Sequence, residues 1–196
     1  MNIKNTLLSF PVRYLLLPIW LISCDKPVER DITLAVAGIY PVSADSIAVI
    51  GSTEIGKAVF AQENGVVTLT LNLTNLAPGT KHAVRILTGS CEQPGTFWNQ
   101  QTSADFCREK SLGRNWVKRF AGDVGNLSVD ESGAGSLIIK TDFWSIGTSD
   151  AMDITGSLLA VYDLPADFSA ECFQGLSPGT GLTIAACGTI DPITMP

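Results

Sequence analysis

Histidine is almost missing from this chain: 196 residues hold one, His82. That scarcity excludes a metal centre held by several imidazoles. It also leaves a serine or cysteine hydrolase a single candidate base, His82, with no obvious nucleophile partner. No G-x-x-x-x-G-K-[ST] loop is present to cradle a nucleotide phosphate. No C-x₂-C pair occurs, so a thiolate zinc site is excluded as well. Basic residues are few: 13 Lys and Arg face 19 Asp and Glu, a net charge of −6. Without residues 1–23, eleven bases face the same nineteen acids. Such a balance lacks the footprint of a nucleic-acid binder and gives no charge-driven hold on anionic lipid. Long stretches of 3.6-residue periodicity are absent too, so little helix is expected beyond the first residues.

What the chain does have begins at its start. Lys4 and Arg13 precede "YLLLPIWLIS" (14–23), an uncharged apolar run of ten residues. That is half of the roughly 20 residues needed to span a bilayer, and it fits the apolar region of an export signal. Leu21-Ile22-Ser23-Cys24 then resembles the bacterial lipobox, and polar "DKPVER" follows. The resemblance implies cleavage after residue 23 and acylation of Cys24. The protein would then be lipid-anchored in the cell envelope, with its domain in the periplasm or on the cell surface. Asp25 resembles the inner-membrane retention signal of enteric bacteria.

The remaining cysteines are Cys91, Cys107, Cys172 and Cys187. An even number in an exported domain points to two disulfides, with three pairings open. Between them the pattern is β. "SIAVIGS" (46–52) and "KAVFAQE" (57–63) are candidate strands, and Asn64-Gly65 is a hairpin turn pair. "VVTLTLNLTNL" (66–76) alternates strictly, with Val67, Leu69, Leu71 and Leu73 on one face. "KHAVRIL", two strands around "DESGAG", "ITGSLLAVYD" and "LTIAACGTI" complete the set. Residues 88–121 and 164–181 read as two long loops, a length that implies anchoring or function. The expected fold is all-β: about eight antiparallel strands in a Greek-key barrel or sandwich. The expected organisation is a signal over 1–23, a lipidated tether and lead-in over 24–45 with "DITLAVAGIY" as a strand within it, a barrel over 46–192 and a tail over 193–196.

Five stretches in order resemble the copper-zinc superoxide dismutase family: "NGVVTLTLNLTNLAPG", "GSC" (89–91), "GDVGNLSVDESGAG" (122–135), "ITGSLLAVYD" (154–163) and "AACGTI" (185–190). The resemblance implies a Greek-key barrel with two long loops folded over a site on its outer face. It implies a Cys91–Cys187 disulfide and leaves Cys107–Cys172 as a bridge between the loops. It also implies copper and zinc, yet the ligand positions carry no histidine. Two registers serve the strand at 81–87. One puts Val84 and Ile86 at the copper positions and turns Arg85 into the barrel, where an unpaired charge is costly. The other, preferred because strand alternation is a strong constraint, puts Ala83 and Arg85 there. Phe97, Phe120 and Tyr162 stand at the further positions, and Asp123 alone remains of the zinc ligands. Ile184 takes the place of the family's anion-guiding arginine.

These residues set the functional expectation. Asp123 is expected to cap a turn or accept backbone N–H groups in "GDVGN", and His82 to lie exposed or at an edge. Phe97, Trp98 and Phe120 are expected to fill the space of the metals, and Tyr162 to cover it. Arg108, Lys110, Arg114, Lys118 and Arg119 are expected on a solvated loop face. The reading is a lipid-anchored pseudoenzyme with no catalytic residue and no cofactor. It would bind the bilayer through acylated Cys24 and serve as a binding or structural module for a protein partner; the sequence is silent on oligomeric state. The alternative is an oxidoreductase of superoxide dismutase type with an altered metal site drawn from Asp123, Tyr162, His82 and Asp105.

Overall fold

A computed structural model describes residues 31–42, 53–98, 121–166 and 182–193. Within them the chain forms ten strands and no helix: β1 (Thr33–Pro41), β2 (Gly56–Glu63), β3 (Val66–Leu73), β4 (Lys81–Gly89), β5 (Pro94–Phe97), β6 (Asp123–Ser128), β7 (Gly135–Thr141), β8 (Leu158–Tyr162), β9 (Ile184–Thr189) and β10 (Asp191–Pro192). Eight follow one hydrogen-bonded path, β5-β4-β8-β9-β1-β2-β3-β7, with β6 on β4 and β10 on β1. All these pairings are antiparallel, and the sheet curls into a half-barrel.

The β2–β3 hairpin follows directly from sequence. Asn64 and Gly65 take φ of 52° and 78°, the left-handed pair that matches strand twist in a two-residue turn. Alternation in β3 then sends Val67, Leu69, Leu71 and Leu73 into the barrel, all fully or almost fully buried. They meet Ala58 and Phe60 of β2, Ala35, Ala37 and Ile39 of β1, and Trp144, whose ring stands edge-on to Phe60 at 6.1 Å. Small residues in β1 let neighbouring backbones approach. A Cβ on Gly188 would sit 2.1 Å from the Gly38 carbonyl oxygen, so only glycine fits there.

The structure corrects the domain boundary. β1 lies inside the sheet between β2 and β9, so the barrel starts at Thr33 and not at residue 46. Its buried positions are alanines and one isoleucine, whose weak apolar signal reads as lead-in. The expected strand over 46–52 lies outside the described residues. The long stretch after β4 is not wholly irregular, since β5 pairs back on β4 at Leu87↔Phe97 and Gly89↔Pro94. The tail begins later than expected: Ile193 N–H donates to the Leu34 carbonyl at 2.8 Å. The two strands around "DESGAG" form as read, but they join different neighbours, β6 on β4 and β7 on β3. Their turn is held by Asp130, whose carboxylate accepts from Ser132 and Ala134.

Candidate functional site

β4 is buried on both faces, from His82 to Leu87. Val84 and Ile86 belong to the barrel interior. Ala83 and Leu87 belong to a second, smaller cluster with Leu158, Ala160, Tyr162, Ala166 and Cys187, against which Phe97 and Cys91 pack. Val84 and Ile86 therefore point inward, and Ala83 and Arg85 outward. Alternation across β4 fixes this, because a one-residue slip would exchange the two faces.

Arg85 is the centre of the outer cluster. Its side chain is 1% exposed. A bulge in β6 at Val124 brings Asp123 opposite it, since Val84 pairs with Gly125 and Arg85 with Asp123. The Arg85 Nε lies 3.2 Å from Asp123 Oδ1, in an ion pair whose acid is 5% exposed. The guanidinium carbon stands 4.8 Å from the Phe97 ring centre and 5.4 Å from that of Tyr162. Phe97 arrives from β5 through the Leu87 pairing. Tyr162 ends β8 beside a second bulge, where Val161 pairs with Ala186 and Tyr162 with Ile184. Burial pushes the Tyr162 hydroxyl above its ordinary range, while the charge of Arg85 and a hydrogen bond with it pull the other way. The nearby Asp123 adds a smaller upward push.

Asp123 faces a buried guanidinium, because the β6 bulge sets it across from Arg85. Two expectations change here. His82 is neither exposed nor at an edge. It is buried on a strand flanked by β6 and β8, its Nδ1 donates to the Tyr162 carbonyl at 2.7 Å, and its Nε2 lies 2.8 Å from the Thr80 hydroxyl. Both ring nitrogens are thus occupied within the protein. Trp98 does not join Phe97, because adjacent strand residues face opposite ways and Trp98 goes to the interior. Phe97 and Tyr162 do meet at Arg85, as an aromatic lining. Phe120, Asp105, Cys24, Cys107, Cys172 and the basic loop residues 108–119 lie outside the described residues.

Cys91 and Cys187 form a disulfide with Cα atoms 5.9 Å apart, tying the end of β4 to β9. Sequence reasoning missed a further clamp. Asn126 accepts from the Ala166 N–H at 2.9 Å and donates to its carbonyl at 3.1 Å, fastening the chain after β8 to β6. An asparagine mid-strand, a poor strand former, was the available signal.

The donors among the described residues do not fit copper or zinc. Among the described residues no three His, Cys, Asp or Glu stand together to hold a metal ion. Asp123 is engaged by a fixed cation, against which the Phe97 and Tyr162 rings stand. A divalent ion beside the guanidinium would meet like charge at short range.

The fold is that of superoxide-dismutase-like barrels. A SOD-like protein from Bacillus subtilis is similar over 79% of this chain and 96% of its own, with 18% identity and a TM-score of 0.57. The clock protein EA4 is similar over 81% of this chain and 93% of its own, with 20% identity and the same score. Residues 54–190 match copper/zinc superoxide dismutase, and the chain belongs to that family.

Proposed function

We propose that this protein is a lipid-anchored envelope protein whose superoxide-dismutase-like barrel performs no dismutation and serves as a binding or structural module. One observation carries the inactive reading: a buried arginine, paired with Asp123 and lined by Phe97 and Tyr162, stands where the family resemblance puts metal ligands. Redox cycling of copper requires donors of the imidazole kind, and a guanidinium offers none. Two donors of the alternative metal site, Asp123 and His82, have partners within the barrel, which favours the first reading. Anchoring rests on the order of basic start, apolar run and Leu21-Ile22-Ser23-Cys24.

Metal analysis of untagged protein, together with a superoxide-consumption assay, tests the first part. We expect no stoichiometric copper or zinc and no activity above buffer. Bound metal with turnover would overturn the reading. For the anchor, Cys24→Ser is expected to move the protein from the membrane to the soluble fraction, and unchanged fractionation would end the lipoprotein assignment.

A further inference from the structure

The ligand positions raise a question that loss of activity does not answer. A metal in such a site joins strands and loops by attracting several side chains to one positive centre. Here one positive centre remains, and it is covalently part of β4. Arg85 is almost wholly buried, yet its neighbours come from three other strands: Asp123 from β6, Phe97 from β5 and Tyr162 from β8. Each offers negative potential, as a carboxylate or as the face of an aromatic ring. A planar guanidinium suits this work, since its edge meets a carboxylate while its faces lie against rings.

We propose that Arg85 is a built-in counter-ion that holds β4, β5, β6 and β8 together at the outer face, in the structural role a bound metal would otherwise fill. The inference rests on the reading of these positions as former ligand sites. A buried charge pair of this kind is asymmetric in its energetics: losing one partner costs far more than losing both.

A double-mutant cycle on the full chain tests it. Arg85→Met and Asp123→Asn are each expected to lower Tm by roughly 6–15 °C, since each strands a buried charge or empties its partner's pocket. The double variant is expected to lose less than half the sum of the two. Additive losses would overturn the proposal, as would an unchanged Tm in Arg85→Met. If Arg85→Met does not fold, Arg85→Lys supplies the second arm. It keeps the charge but not the plane, so it should fold, with a Tm loss smaller than that of Asp123→Asn. A larger loss would show that charge is not what the site requires. The Tyr162 phenol gives an independent readout by absorbance. Its titration midpoint should rise in Arg85→Met and stay near wild type in Arg85→Lys; no difference between the two would count against the tie. These outcomes are separable from the functional reading. Wild-type protein that is metal-free and inactive but shows an additive cycle would sink only the counter-ion.

Discussion

The barrel interior and the cluster on the outer face of β4, β8 and β9 are both buried, but they are built on different terms. Leu69, Leu71, Phe60, Val84, Ile86 and Trp144 are among the apolar residues that fill the interior, and β1, β2, β3, β4 and β8 contribute alternate residues. Its stability follows from area and close packing. The outer cluster mixes small apolar residues with a disulfide, a tyrosine and an arginine with its acid. A single sheet face cannot bury these alone, so cross-links and directed polar contacts supply what packing does not. The comparison teaches that one strand, β4, can serve a generic core and a specific one at once.

The largest separation between the two regions should come from the disulfide. Replacing both Cys91 and Cys187 by alanine frees a loop of 96 residues in sequence separation. The chain-entropy argument puts the loss at about 4–5 kcal/mol, so Tm should fall by roughly 10 °C or more, measured by calorimetry. In the interior, Leu69→Ala is expected to cost about 2–5 kcal/mol by denaturant unfolding, because neighbours relax only in part around the cavity. Asn126→Ala removes two hydrogen bonds to Ala166 and should cost about 1–2 kcal/mol. Its signature is local: amide exchange should quicken at 163–166 before it changes in β3.

A pH effect comes next. Burial would raise the Asp153 carboxyl, but N–H groups of Thr155, Ser149 and Gly147 and the Thr155 hydroxyl outweigh it and hold the group below its ordinary value. A depressed folded value gives stability that is present above the unfolded value and is lost as pH falls through the folded one. Melting curves should therefore decline more steeply below about pH 4 in wild type than in Asp153→Asn. At neutral pH Asp153→Asn should melt lower than wild type, and the gap should close as pH falls. The smallest effect belongs to the outside of the sheet. Ile138 is 62% exposed on the outermost strand of the hydrogen-bonded path, and Ile138→Thr should shift stability by less than about 0.5 kcal/mol.

Legibility in the sequence divides along the same line. Val67, Leu69, Leu71 and Leu73 announce their strand by alternation, and Asn64-Gly65 its turn. β1 was harder to read, because Ala35, Ala37 and Gly38 carry little apolar signal and earn their burial from close neighbours. Arg85 could be placed outward by the cost of turning it inward. Its partner could not be named, since Asp123 reaches it only through a bulge that no periodicity reveals. The burial of His82 was equally hidden, because it depends on the Tyr162 carbonyl 80 positions away. Local pattern reports which way a side chain points; it does not report who meets it there.

β1 follows residue 32 in sequence, yet its neighbours in the sheet are β2 on one side and β9 on the other. A chain still being synthesised can zip its first hairpins but leaves one flank of β1 bare until β9 and β10 emerge. Folding must then close a contact between strands far apart in sequence, a slow step by its topology. Until that moment the nascent chain carries an open β edge, the kind of edge that pairs with other chains unless it is covered.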